Sequence, residues 1–237
     1  MTMHSNWQEH RFTILLGLIL LFILGWPLAS LSTYPLLTQL VGSGLLMAIL
    51  ISAVQATGPG PRWRRILSVM GTGIVVLNLT AYATNSIQWE LGFYVLTLVF
   101  LGTVAVLTIQ HLMQSRRADN DTLAAALCAY AVLVLLWADA YSLVETVANG
   151  SFSYSGATVD VPQVMHFGFG DSMMSIYYSF VTITTLGYGD VLPVTALARA
   201  LAALQAFFGQ AFVAILVARL VGLQIAASLT VDESLSS

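Results

Sequence analysis

Two glycines placed two residues apart, Gly187 and Gly189, mark the segment of this chain whose chemistry is easiest to define. They follow Thr184 and Thr185 and precede Asp190. For successive backbone carbonyls to point the same way, a chain must alternate between ordinary and left-handed conformations, and glycine adopts the left-handed ones at little cost. Such a strand presents a row of oxygens that can replace the hydration shell of a cation. Gly187 and Gly189 have the spacing that such a strand requires, and cation coordination by main-chain carbonyls is the chemistry it would support.

The predicted ligands are the carbonyl oxygens of Thr185, Leu186, Gly187 and Tyr188. The Thr185 hydroxyl would add a further ring of oxygens at the inner end. The side chains of Leu186 and Tyr188 are expected to point backward into protein and brace the strand. Asp190, at the outer end, would concentrate cations there. One chain supplies one strand, and a closed ring of oxygens needs four, so we predict a homotetramer.

The composition is that of a membrane protein. Hydrophobic residues make up 58% of the 237 positions and charged residues only 8%, whereas soluble domains carry about a quarter charged residues. A chain this apolar would expose too much hydrocarbon in water, so a bilayer is its expected solvent. The net charge of −3 argues against nucleic acid as a partner. The expected partners are membrane lipid and other copies of the chain.

Six segments have the roughly 20 mostly apolar residues that a helix needs to cross a bilayer. They are Phe12–Ser30, Leu36–Ala56, Ile66–Ala83, Leu91–Met113, Thr122–Val147 and Pro193–Leu223. Between the last two, Asp171–Thr184 has a helical pattern but is too short to cross. A helix of this kind is tolerated at membrane depth only where protein or a water cavity surrounds it. We predict an all-α membrane protein whose short helix and glycine loop re-enter the bilayer.

The ten residues from Val181 to Asp190, VTITTLGYGD, closely resemble the signature of the potassium-channel family, whose members coordinate ions with backbone carbonyls. The resemblance extends over about Thr122–Gly222. It implies a potassium-selective channel, with K⁺ as the permeant ion, no cofactor and no enzymatic activity. Leu186 departs from the family pattern, which usually has valine or isoleucine there. Leucine keeps the carbonyl but alters the packing behind it.

The resemblance also implies which residues support the filter: Thr184, Asp190, Tyr177, Tyr178 and Val181. Tyr177 stands where relatives place an aromatic hydrogen-bond donor, so its hydroxyl is expected to reach Asp190. Tyr178 is expected to pack near Tyr188. Val181 stands where some relatives have a glutamate, so that carboxylate pair is missing here. The alternative is that both tyrosines are merely interfacial aromatics.

In the sixth span, Gly209 stands where the family has a glycine that lets the inner helix bend. Glycine weakens a helix by about 1 kcal/mol relative to alanine. The alternative is that Gly209 only permits close helix packing. Gln210, Val213 and Val217 are expected to line the inner cavity, although Gln210 could equally form a bond between subunits. Arg199 is expected to reach the membrane surface or to pair with Asp139 or Glu145.

The predicted domains are a four-helix transmembrane domain over 1–117, a pore domain over 118–223 and a short, disordered tail over 224–237. Seven arginines fall on one side of the six crossings: Arg11, Arg62, Arg64, Arg65, Arg116, Arg117 and Arg219. The positive-inside rule makes that side cytoplasmic. Both termini should therefore be cytoplasmic, in the plasma membrane. Leu91–Met113 carries no basic residue, so we predict no voltage sensor built from charges on the fourth helix.

Three other functions remain open from the sequence. A weakly selective cation channel and a non-conducting subunit could use the same scaffold. The run Gly187-Tyr188-Gly189-Asp190 also matches the Gly-x-Gly-Asp motif of intramembrane aspartyl proteases, with Asp139 as the second carboxylate of a dyad sharing one proton. The threonines that precede the glycines have no use in such an enzyme, and the later Pro-Ala-Leu motif is absent. The protease is therefore a remote alternative.

Overall fold

The structure, a computed structural model, describes residues 11–29, 35–58, 60–115, 120–154 and 174–236. The elements in these residues, in chain order, are α1 Arg11–Ala29, α2 Pro35–Thr57, α3 Pro61–Thr84, α4 Ile87–Gln114, α5 Asn120–Val147, β1 Phe152–Tyr154, α6 Met174–Ile183, β2 Val191–Pro193 and α7 Ala196–Ser236. The short predicted helix corresponds to α6. Its first predicted residues, 171–173, lie outside the described part of the chain.

Five of these helices contain stretches long and apolar enough to cross a membrane: Leu40–Thr57 in α2, Pro61–Thr84, Ile87–Gln114, Asn120–Val147, and Ala196–Ile225 in α7. Charged residues are rare in all five stretches, as a spanning helix requires. The predicted first span corresponds to α1, whose apolar stretch includes Arg11–Gly25. The chain is a helical membrane protein, and six crossings remain a prediction.

Local sequence signals explain where several helices begin and end. Pro61 lies in the first turn of α3, where the missing amide proton costs nothing. Asn85 ends that helix in the left-handed conformation, with a φ of 47°. Thr195 precedes α7, and its hydroxyl accepts a hydrogen bond from the Ala198 amide at 3.3 Å, which is the geometry of an N-cap. The predicted start of this helix at Pro193 was therefore wrong, because α7 begins at Ala196.

The predicted end of the last helix was also wrong. α7 continues without a break to Ser236, so the residues expected to form a disordered tail are helical. Beyond Gly222 the sequence has no glycine or proline to stop the helix. Alanine and leucine are also among the strongest helix formers, and both occur in this stretch.

A two-stranded ribbon is the one sheet in the described residues, and the all-α prediction missed it. β1 and β2 pair antiparallel, with Phe152 opposite Pro193. The buried carboxylate of Glu145 fixes the ribbon to the end of α5, because its two oxygens accept the amides of Gly150 at 2.8 Å and Phe152 at 3.2 Å. The ribbon thereby joins the end of α5 to the start of α7.

α5 is the central helix of the fold. It packs against α1 and α4 on one side and against α6 and α7 on the other. The main core therefore contains buried residues from both halves of the chain, including Phe12, Leu15, Phe100, Val104, Cys128, Leu135 and Ile176. Cys128 donates a hydrogen bond from Sγ to the Phe12 carbonyl at 3.0 Å. The first four helices are thus packed directly onto the predicted pore domain of their own chain.

The start of α1, the end of α4 and Arg219 of α7 lie at one end of this bundle. Arg11 lies 3.4 Å from the His111 ring, measured between Nη2 and Nε2. Arg219 donates from Nη2 to the carbonyls of Met113 at 2.6 Å and Ser115 at 2.8 Å. Arg11 and Arg219 therefore lie at the same end, as the arginine pattern predicts. Arg116 and Arg117 lie outside the described residues.

Candidate ion-conducting site

The loop that follows α6 is attached to the end of that helix through its backbone. The Val181 carbonyl accepts two amides, from Leu186 at 3.0 Å and from Gly187 at 3.2 Å. The Thr185 amide donates to the Thr182 carbonyl at 3.1 Å. These bonds satisfy carbonyls that a helix end leaves unpaired. They also fix the direction in which the chain leaves the helix, which gives Val181 a supporting role through its main chain.

Every second residue of the loop has a left-handed backbone. The φ angles are 59° at Thr185, 59° at Gly187 and 78° at Gly189. The alternation predicted from the two glycines is confirmed. The alternation begins at Thr185, two residues before the first glycine. A β-branched residue with positive φ is a genuine outlier, and such strain costs of order 1–3 kcal/mol.

The carbonyl oxygens of this loop are not used by the chain itself. Within the described residues, the carbonyls of Thr185, Leu186, Gly187 and Tyr188 accept no hydrogen bond. The Thr185 hydroxyl donates to the Thr184 carbonyl at 2.6 Å. A row of main-chain oxygens without internal partners is available to an external partner such as a cation.

Leu186 and Tyr188 do not point into the protein of their own chain. Their exposed fractions are 55% and 66%, so a single subunit does not bury them, and the expectation that they brace the strand stays a prediction for the assembly. The Tyr188 ring lies near Tyr177, with ring centroids 6.5 Å apart and planes 12° apart.

The hydroxyl of Tyr177 donates a hydrogen bond to Asp190 Oδ2 at 2.6 Å, which confirms the predicted contact. The other carboxylate oxygen, Oδ1, accepts the Val191 amide at 3.0 Å. The bond to Asp190 raises the pKa of Tyr177 to about 12, because it favours the protonated phenol. Tyr177 therefore remains a donor at neutral pH, and the outer end of the loop is held to α6.

Tyr178 does not pack near Tyr188, so that prediction was wrong. Its buried ring packs edge-on against Tyr141 of α5, with centroids 4.9 Å apart, and against Phe152 of β1 at 5.3 Å. Adjacent residues on a helix point about 100° apart, since a turn holds 3.6 residues. Only one of the two tyrosines can therefore face the loop, and that residue is Tyr177. Tyr178 instead anchors α6 to α5 and the ribbon.

A buried hydrogen-bond network joins α5, α6 and α7. Gln205 of α7 accepts a bond at Oε1 from the Tyr141 hydroxyl. Its Nε2 donates to Ser179 of α6, at 3.0 Å to the carbonyl and 2.7 Å to Oγ. The Ser179 hydroxyl in turn donates to the Val134 carbonyl at 2.7 Å. Sequence reasoning singled out Gln210 and missed Gln205, although both are lone amides in the same apolar stretch.

Gly209 is packed against the end of α6. A Cβ placed on it would lie 2.5 Å from Cγ1 of Ile183 and 3.1 Å from the Ile183 carbonyl oxygen. The alternative of close helix packing therefore has direct support, and α7 is a continuous helix at this position. A bend at Gly209 remains a prediction.

The predicted cavity residues share one face of α7. Gln210, Val213 and Val217 are spaced by three and four residues, and all three are exposed in the single chain. Residues at this spacing lie above one another on a helix. The position agrees with the prediction, and their role in a cavity stays untested.

The predicted ion pairs of Arg199 were wrong. Its Nε donates to the Pro193 carbonyl at 3.1 Å, and Glu145 is engaged by the amides that hold the ribbon. Asp139 is fully buried in α5, and among the described residues neither of its oxygens has a hydrogen-bond partner. Asp139 therefore shares no hydrogen bond with Asp190, as the two carboxylates of a protease dyad would need to do.

Comparison with known proteins identifies this region. Residues 129–223 match a family model described as an ion channel. The match covers less than half of the chain, from the middle of α5 through α6 and the loop to α7. Searches of curated proteins and of solved structures found no match. The matched segment is similar to an ion-channel domain, which is consistent with the resemblance to potassium channels.

The Gln205 network gives a testable prediction. Gln205→Leu should lower the thermal stability of the purified protein, because it leaves the buried Tyr141 hydroxyl without its hydrogen-bond partner. Such a group costs about 1–3 kcal/mol. The measurement is the unfolding temperature in detergent. Gln210→Leu is the matched control, since Gln210 is exposed and should tolerate the change. Equal stability of the two variants would show that the network contributes nothing.

Proposed function

We propose that this protein is a potassium-selective channel in which four copies of the chain surround one ion pathway. The observation that carries the proposal is the backbone of the loop after α6. Thr185, Gly187 and Gly189 have left-handed conformations, and the carbonyls between Thr185 and Tyr188 are free of hydrogen bonds within the described residues. A strained, non-glycine residue in such a loop is the kind of outlier from which a functional hypothesis can be drawn.

The proposed ligands are the carbonyl oxygens of Thr185, Leu186, Gly187 and Tyr188, with the Thr185 hydroxyl at the inner end. An ion entering a narrow pore must exchange its water for oxygens of nearly equal affinity, because tighter or weaker sites would prevent conduction. Rings of carbonyls meet this condition for K⁺. Bonds to Val181 and Asp190 hold the two ends of the loop to α6 and would keep the rings in place.

The exposure of the loop supports assembly. Leu186 and Tyr188 are more than half exposed in the single chain, and the adjoining face of α7 exposes Leu204, Phe207 and Phe208. Large apolar surfaces beside polar oxygens mark sites of protein association. Four copies around an axis would cover these side chains and turn four strands into closed rings. One strand alone cannot enclose an ion.

The same proposal places the arginine-rich end of the bundle, with both termini, on the cytoplasmic side of the plasma membrane. K⁺ is the permeant ion, and no cofactor or catalytic residue is part of the mechanism.

A weakly selective cation channel is the second candidate, favoured by one departure from the family signature. Leu186 stands where valine or isoleucine is usual, and a different packing behind the carbonyls could loosen their preference for K⁺.

Ion flux into liposomes tests the proposal. Purified protein should pass K⁺ faster than Na⁺, and Ba²⁺ should block the flux. Gly189→Ala should abolish it, because a φ of 78° disfavours any side chain by roughly 1–2 kcal/mol. Gly150→Ala is the matched control. Gly150 has a similar φ of 82°, free space around it and a position in the loop before β1.

Equal flux of K⁺ and Na⁺ through the wild-type protein would favour the weakly selective channel. Equal loss of flux in the two alanine variants would contradict the special role of the loop, because strain alone would then explain the effect. Flux that is absent at every pH, voltage and lipid composition would contradict conduction by this chain.

The bond between Tyr177 and Asp190 gives a second prediction. Tyr177→Phe removes the bond and should reduce sustained K⁺ flux by up to roughly tenfold, because a hydrogen bond to a charged group contributes about 1.5 kcal/mol or more. The measurement compares initial with sustained flux in liposomes. Tyr178→Phe is the control, since that ring is anchored between Tyr141 and Phe152. Sustained flux unchanged in Tyr177→Phe would rule out a supporting role for Tyr177.

The number of copies is tested by mass. The chain has a mass of 25.5 kDa, and native mass spectrometry should give a particle of four times that value. The physical reason is that the proposed oxygen rings close only with four strands. A monodisperse dimer, observed both in detergent and in lipid, would overturn the tetramer and with it the carbonyl rings.

A further inference from the structure

A groove between α2 and α3 lies far along the chain from the loop and plays no part in the proposed conduction. Its volume is about 330 Å³. One wall comes from α2, where Met47, Leu50, Ile51 and Val54 contribute apolar side chains. The other comes from α3, where Leu67 and Gly71 face the groove. The surface is therefore mostly hydrocarbon along its length.

The polar groups of the groove that are available to a ligand lie at one end, because the hydroxyls of Ser68 and Thr72 donate to carbonyls of their own helix. Arg64 is in the first turn of α3, and Gln55 is in the last turn of α2. From Arg64 to Thr72, the last lining residue of α3, the groove extends about 12 Å at 1.5 Å per residue. A ligand that fits must combine a polar head at the helix ends with an apolar chain directed along the spans.

The charge at this end is positive and uncompensated. Arg62 and Arg65 flank Arg64 in the same turn. None of the three guanidinium groups makes an ion pair or a hydrogen bond with another described residue. Arginine binds phosphate with two parallel hydrogen bonds. The head of the ligand should therefore be an anionic phosphate ester.

The depth of the groove fits a membrane surface. Trp63, directly before Arg64, is 53% exposed, and tryptophan is enriched where hydrocarbon meets headgroups. Basic pockets between helices at the cytoplasmic surface bind anionic headgroups. We propose that this groove binds one anionic phospholipid, with its phosphate at Arg64 and Gln55 and an acyl chain along Met47 and Ile51.

Native mass spectrometry of the whole protein tests this site. Phosphatidylglycerol and phosphatidylcholine with identical acyl chains are added to the detergent-purified protein, and the bound lipids are counted. The wild-type protein should prefer phosphatidylglycerol. Arg64→Gln should lower that preference about fivefold, the usual effect of one arginine near an anionic surface. Arg62→Gln, which removes the same charge outside the groove, should preserve it.

A second pair of variants tests the acyl chain. Ser68→Phe places a ring in the groove and should lower the binding of both lipids. Val69→Phe places the same ring at an exposed position beside it and should leave binding unchanged. Both pairs report lipid binding, not ion flux, so their failure is distinguishable from failure of the proposed conduction.

Three outcomes would overturn the site. Equal loss of preference in Arg64→Gln and Arg62→Gln would mean that surface charge alone attracts the lipid. Equal binding in Ser68→Phe and wild type would mean that no chain enters the groove. Displacement of the lipid by inorganic phosphate at equal concentration would mean that the ligand is a free anion instead of a lipid.

Discussion

The Val181 carbonyl, with its two amide donors, is the constraint on which the loop depends. It accepts hydrogen bonds from the amides of Leu186 and Gly187, which lie five and six residues later in the sequence. The chain must therefore fold back over the end of α6 as soon as the helix ends. Once the amides of the loop are directed at the helix, its carbonyls face away from it. A chain in this position cannot satisfy those oxygens by itself, and burying them unpaired would cost several kcal/mol. An ion or water must therefore take that place.

This constraint explains why α7 and the ribbon both make contacts that hold α6 in place. Three kinds of contact act on a helix of only ten residues. Tyr178 fixes its middle through packing with the ribbon, and Ser179 does so through the Gln205 network. Ile183 fixes its end against Gly209. Polar networks of this kind rigidify a structure only when each member is satisfied. Gln205 meets that condition at both ends of its amide, with Tyr141 on one side and Ser179 on the other.

The sequence predicts the parts of this arrangement that depend on local chemistry. Glycine spacing predicted the alternation at Gly187 and Gly189, since only the backbone conformation of those residues is involved. The contact of Tyr177 with Asp190 came from the family resemblance. Features that depend on packing were missed. Gln205 forms the buried network and Gln210 does not, because the face of α7 that carries Gln205 meets α6. The ribbon pairs segments almost 40 residues apart in the sequence. Neither can be deduced from a pattern along one helix.

The first four helices are part of the same packing and not an attached module. α5 has apolar neighbours on both sides, so its buried surface is divided between α1 and α4 on one side and α6 and α7 on the other. At one end, Arg219 of α7 donates to carbonyls at the end of α4, where a cation also complements the helix dipole. A shift of α4 along its axis would have to break these bonds or carry α7 with it. Since α4 has no lysine or arginine within its apolar stretch, that shift would not be driven by voltage acting on permanent charges of this helix. A displacement of α4 would instead reach α7 mechanically, through the bonds of Arg219.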